Sequence, residues 1–125
     1  MIIGLGIDIV DQIRIRKGIE KHGENFTNRL FTSKEITYCQ KYSDPTEHYA
    51  GKFAVKEAFM KAIGTGLTQQ VTFKDIEVLN KDTGAPYIMT HGKTQQIVKQ
   101  LTVTKVHVSL SHITEIAAAV VILEN

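Results

Sequence analysis

An α+β fold is what this sequence predicts, as a mainly antiparallel sheet packed against one long helix and several shorter ones. Three observations predict it. Apolar runs of strand length open and close the chain, MIIGLGIDIV at the start and IAAAVVIL near the end. A helical stretch running from Pro45 to Ile63 is the strongest periodic signal between them. The order of signals is one strand, three helices, two strands, a helix and two strands, which lacks the strand-helix alternation of a parallel sheet. With 125 residues and no internal repeat, linker or low-complexity tract, the chain reads as a single domain over 1–125.

The elements follow in order. Residues 2–10 alternate as a strand, with Ile3, Leu5, Ile7 and Ile9 on one face and Gly4, Gly6 and Asp8 on the other beside Ile2 and Val10. Asp11 suits the N-cap of a helix running to His22 and ending at Gly23. Thr32 and Glu35 have the spacing of a capping box, opening a helix to about Tyr42. Pro45 suits the first turn of the long helix, and Gly64 and Gly66 stop it. Val71 to Thr90 reads as strand, turn, strand, turning at Asp82-Thr83-Gly84, with Pro86 at a strand start or edge. A short helix is expected over 94–101, then strands over 105–112 and 115–123 joined tightly near Ile113 and Thr114.

Composition excludes several classes of function. The net charge of +2 is too small for whole-molecule attraction to nucleic acid. No apolar run approaches a membrane span, and the N-terminus lacks a basic leader and reaches Asp8 too early for a signal peptide. The lone Cys39 rules out an intrachain disulfide and a cysteine-rich zinc site, so a reducing cytoplasm is the expected compartment. The glycines at 4 and 6 are followed by Ile9 where a dinucleotide fingerprint needs glycine, and Gly92-Lys93-Thr94 has Tyr87 where a phosphate-binding loop needs one.

Three features carry chemistry. Asp8 stands in an apolar strand, where a carboxylate needs a hydrogen-bonding partner, a metal or a loop to cap. Ala50, Ala54, Glu57 and Lys61 fall on one helical stripe, two small residues followed by an acid and a base. The stripe reads either as a low floor ending in two charges or as an exposed ion pair. Tyr49, Phe53, Met60 and Ile63 lie on another stripe suited to the core. Two carboxylates without convergent histidines suit Mg²⁺, which is commonly held by one or two carboxylates and substrate phosphates. Between Arg14 and Lys41 the chain carries seven basic residues and three acidic ones. That segment is either a solvated face or a dock for an acidic partner. His107 shares a strand face with Ser109 and Ser111, opposite His112, which argues against a shared zinc.

The segments GIDIV at 6–10, GKFAVKEAFMKAIGTG at 51–66, GAP at 84–86 and HVSLSH at 107–112 together resemble the holo-acyl-carrier-protein synthases, the short-chain group of 4′-phosphopantetheinyl transferases. The resemblance covers nearly the whole chain in order. It implies a Mg²⁺-dependent transfer of the phosphopantetheine arm of coenzyme A to a serine of apo-acyl carrier protein, in support of fatty acid biosynthesis. It also implies a homotrimer with substrate clefts between subunits. The family's metal ligands fall on Asp8 and Glu57, and its catalytic set on Asp8, Glu57 and Lys61. Coenzyme A contacts fall on Lys52, Lys61, Gly64, Pro86, His107 and Ser109. Lys52 stands where arginine is common in the family, a point charge in place of a bidentate fork. Arg14, supported by Arg16, Lys17 and Lys21, falls where the family meets an acidic carrier helix.

Three proton acceptors are open for the attacking serine: a water at the metal, Glu57 or Asp8. Two other functions compete. A transferase serving peptide or polyketide synthase carriers usually resembles a double-length chain with two similar halves. A non-catalytic trimeric module binding acidic helices would leave Asp8, Glu57 and Lys61 without a role.

Overall fold

The computed structural model describes residues 1–65 and 70–125. Among them the order is β1 (Ile2–Asp11), α1 (Gln12–His22), α2 (Glu24–Leu30), α3 (Ser33–Gln40), α4 (Thr46–Ile63), β2 (Ile76–Asn80), β3 (Pro86–Thr90), α5 (Gly92–Gln100), β4 (Lys105–His112) and β5 (Ile116–Glu124). The strands form an antiparallel three-stranded sheet, β1-β5-β4, and an antiparallel hairpin, β2-β3. The expected α+β architecture is the one observed.

The long helix α4 lies on one face of the larger sheet, and β1 supplies the closest approach. A Cβ on Gly6 would overlap the carbonyl oxygen of Ala58, and one on Gly4 would overlap that of Ala62. Helix backbone therefore sits directly on strand backbone. The two glycines on the Asp8 face thus leave no open space there, because α4 fills it. Val10 of β1, Ala117, Ala119, Val121 and Leu123 of β5, and Tyr49, Val55, Phe59 and Met60 of α4 are all buried in the resulting core. Ala50 and Ala54 are fully buried there as well. Their stripe is not the floor of an open site; small residues at these positions let α4 pack closely.

The opposite face of the same sheet is apolar and open. Leu5, Ile7 and Ile9 are 63%, 62% and 67% exposed. Across the register they lie in rows with Ile122 and His107, with Val120 and Ser109, and with Ala118 and Ser111. Hydrophobic side chains on β1 thus point to solvent while glycines point to the core, the reverse of a half-buried strand in an isolated domain.

Local signals explain the helix boundaries. Asp11 accepts a hydrogen bond from the Ile13 amide at 2.9 Å, capping α1. Thr32 and Glu35 exchange the two bonds of a capping box at the start of α3. Pro45 occupies the N-cap of α4, one residue before the first turn, and Gly64 ends the helix with φ +79°. The additional stop at Gly66 lies outside the described residues. Several boundaries differ from expectation, α5 among them at Gly92–Gln100 instead of 94–101, and the helix α2 is additional. The second helix of the expected set ends at Gln40 instead of Tyr42. Strand β2 begins at Ile76, since Val71 to Asp75 form turns and irregular backbone. Helix α2 follows α1 across Gly23 alone, with no side-chain cap. No described helix is long and apolar enough to cross a membrane.

Candidate active site

The packing of α4 on β1 brings Asp8, Glu57 and Lys61 into one electrostatic neighbourhood. Lys61 donates to Asp8 Oδ1 at 3.1 Å and to the Ile7 carbonyl at 3.0 Å. It therefore reaches across to the strand instead of pairing with Glu57 on its own helix. The Asp8 side chain is 15% exposed while Lys61 is 55% exposed, so the ammonium forms the solvent edge of the site. Burial pushes the Glu57 carboxyl above its ordinary range and the negative charge of Asp8 pushes it further, while Lys61 and Arg14 pull it back. Two carboxylates held close enough to repel, both oxygen donors, are a chemically suitable pair for Mg²⁺. Among the described residues no group of three His, Cys, Asp or Glu gathers at metal-binding distances. Any such ion would need oxygens from outside this pair to fill its shell.

Glu57 also lines a cavity of about 420 Å³ between α1, α2 and α4. Phe26, Leu30, Phe53 and Phe73 give it apolar walls, with Phe53 and Phe73 stacked at 5.4 Å. Arg14, His22 and Arg29 add basic groups to the lining. Of the residues expected to dock an acidic partner, Arg14 faces this cavity. Arg16 is bonded to Asp44 at 3.1 Å, and Lys17 and Lys21 stand exposed on α1. Sequence reading missed the Phe26, Leu30 and Arg29 part of the site because it missed α2, whose residues supply them. The available signal was the basic Arg29 followed by an apolar pair just before the Thr32 cap.

The remaining expected ligand contacts lie in other places. Lys52 is buried, and Nζ donates to the Val78 carbonyl and to Asn80 Oδ1, both at 2.7 Å, above the Tyr38 ring. Burial lowers its pKa from the ordinary lysine value. It lines a second cavity of about 240 Å³ with Pro86, His48 and His112. His107 and Ser109 are exposed on the open face of the sheet, with His107 bonded to Glu124. Gly64 stands at the end of α4 with open space where a side chain would go. A single chain therefore gathers the Asp8, Glu57 and Lys61 set, and leaves the other expected contacts distributed between a second cavity and the sheet face.

The family model of the 4′-phosphopantetheinyl transferase superfamily matches residues 4–121. The chain belongs to that superfamily. Among its 4′-phosphopantetheinyl transferase relatives, the holo-acyl-carrier-protein synthase of Koribacter versatilis is 45% identical over 125 residues, covering all of both chains. The crystal structure of the synthase from Neisseria meningitidis superposes with a TM-score of 0.92 at 31% identity, over the full length of each chain. That of Bacillus anthracis, solved in complex with coenzyme A (3′,5′-ADP), gives 0.81 at 40% identity, over 98% of this chain and 96% of its own. Full-length agreement in both sequence and fold places all three candidate catalytic residues within the superfamily match.

Proposed function

We propose that this chain transfers the 4′-phosphopantetheine arm of coenzyme A to a serine of apo-acyl carrier protein, giving holo-acyl carrier protein and adenosine 3′,5′-bisphosphate, in support of fatty acid biosynthesis in the cytoplasm. The observation that carries the reading is the junction of β1 and α4, where Asp8, Glu57 and Lys61 converge beside a basic, apolar cavity. In the transfer the serine oxygen forms a bond to the β-phosphorus, the bond to the nucleotide breaks, and the serine proton leaves. Asp8 and Glu57 would hold Mg²⁺, which supplies charge to the pyrophosphate and to the departing nucleotide. Lys61, solvent-facing and one turn beyond Glu57, is placed to neutralise a phosphate oxygen. Incubating the protein with coenzyme A, Mg²⁺ and apo-acyl carrier protein should add one phosphopantetheine to the carrier by mass spectrometry. An unmodified carrier would refute the reading.

Lys52, Lys61, Gly64, Pro86, His107 and Ser109 are the proposed coenzyme contacts. They cannot all line one cleft of an isolated chain, because His107 and Ser109 face the open side of the sheet. A homotrimer resolves this, with one subunit's sheet face set beside another's β1 and α4. The exposed Leu5, Ile7 and Ile9 support the assembly, since a contiguous apolar patch flanked by polar residues marks an interaction surface. Sedimentation should give a trimer, and Ile7→Glu should give smaller, inactive species. An active monomer at assay concentration would contradict the assembly.

The carrier would dock against Arg14, with Arg16, Lys17 and Lys21 adding positive field and the neighbouring cavity accepting an apolar side chain. Arg14→Glu should raise the carrier KM about tenfold and flatten its dependence on salt, since charges at an interface rim act chiefly on encounter. The KM for coenzyme A should stay nearly unchanged. An unaltered carrier KM would remove Arg14 from the docking surface.

A further inference from the structure

One buried charge pair lies directly behind the candidate site and has no part in the transfer proposed above. Lys56, adjacent in sequence to Glu57, leaves α4 about 100° around the helix from it, and both it and Glu35 have side chains with no exposed surface. Its ammonium makes three bonds: to Glu35 Oε1 at 2.9 Å, to the Phe73 carbonyl at 2.8 Å and to the Ile76 carbonyl at 2.7 Å. An ammonium has three donors, so none is spare. Glu35 in turn accepts from the Thr32 amide with Oε1 and from the Val78 amide with Oε2, at 2.8 and 2.9 Å. One side-chain pair thus joins α4 to the start of α3, to β2 and to the turn ahead of β2.

That turn carries Phe73, whose ring stacks on Phe53 and faces the cavity that Glu57 lines. Val71 to Asp75 lack regular secondary structure, so the Phe73 backbone draws no support from a sheet ladder or helix. Within the turn, the Ile76 amide donates to the Phe73 carbonyl at 3.2 Å, which closes the backbone locally but does not attach it to α4. The turn meets α4 in two ways, through the Phe73 ring on Phe53 and through the hydrogen bond that Lys56 gives the Phe73 carbonyl, and only the second fixes its backbone.

We infer that Lys56 and Glu35 are positioning residues for carrier recognition, pinning the Phe73 turn to α4 so that the cavity beside Glu57 keeps its wall. The inference rests on the carrier-docking reading of that cavity. It differs from a purely structural account in what it expects of the folded enzyme. Loss of the pin should loosen the turn and the cavity wall while the Asp8, Glu57 and Lys61 junction, held by backbone contact between β1 and α4, stays in place.

The test measures KM and kcat for each substrate in Lys56→Met and in the double variant Lys56→Met/Glu35→Gln, which removes both charges so that no carboxylate is stranded. The expected result is a carrier KM raised about tenfold, a coenzyme A KM within about twofold of the parent, and faster amide exchange over residues 70–78 in protein that is otherwise folded. Phe73→Ala is the control on the docking reading. If it leaves the carrier KM unchanged, the cavity does not receive the carrier and both readings fall. If it raises the carrier KM while the folded Lys56 variants do not, the positioning role alone is overturned. Equal loss with both substrates, or failure of both Lys56 variants to fold, would assign the pair to stability only and overturn it.

Discussion

Asp8→Asn and Glu57→Gln are each expected to lower kcat by about a hundredfold or more, the scale seen when a preorganised electrostatic contact to a reacting group is removed. The two should differ in stability. Glu57 sits in the fold with its carboxyl pushed above the ordinary range by burial and by Asp8. A raised folded-state value means that folding favours the protonated form. The associated stability is present at low pH and is lost as pH rises through the raised value. At neutral pH the ionised Glu57 is therefore a burden, and a glutamine that cannot ionise relieves it. Without divalent metal at pH 7, Glu57→Gln should melt at or above the parent temperature, and the gap should close below about pH 4, where Glu57 is protonated in both states. Asp8→Asn instead keeps an acceptor oxygen but removes the negative charge that Lys61 pairs with, so it should not gain stability. Calorimetry and initial rates check both statements. Near-normal turnover in either variant at limiting Mg²⁺ would end the shared-metal proposal.

Gly6→Ala should be among the most destabilising single substitutions in the chain, at about 3 kcal/mol or more. The added Cβ would overlap the Ala58 carbonyl and stand 2.8 Å from the Ala62 amide nitrogen. Both are backbone atoms of α4, so no side chain can rotate out of the way. The helix must lift from the strand, and the junction carrying Asp8, Glu57 and Lys61 opens with it. Gly64→Ala makes the contrast. There the added carbon meets open space, and only the positive φ of +79° is strained, at roughly 1 kcal/mol. Thermal denaturation should rank the two in that order. A Gly6→Ala protein within about 1 kcal/mol of the parent would show that β1 and α4 can separate without loss.

Much of this was legible in the sequence because it rests on local rules. The alternation over residues 2–10, the caps at Asp11 and Thr32 and the long helix up to Gly64 all depend on near neighbours, and all appear. The convergence of Asp8 with Lys61 was legible only through resemblance, because no local pattern links residues 53 positions apart. Helix α2 was hidden for a physical reason. It has seven residues, begins straight after Gly23 and has no side-chain cap, so it holds its shape by packing Phe26 and Leu30 and not by its own periodicity. The partner of Lys56 was also hidden. In sequence Glu35 is an ordinary capping-box acid, and only the fold shows that its second oxygen and the lysine complete a buried network.

Cys39 is fully buried in the core, and burial pushes its thiol up to about 12. Since reagents attack the thiolate, this sulfur is chemically silent for as long as the chain stays folded. It is also the only cysteine in the sequence. The wild-type protein therefore carries its own clock for opening. A pulse of an alkylating reagent marks only those molecules whose α3 has come away from the core, and one added mass per chain counts them without any engineered label. Run across the variants above before coenzyme A, itself a thiol, is added, that count separates an enzyme that has lost its chemistry from one that has lost its fold, at the same protein concentration as the assay.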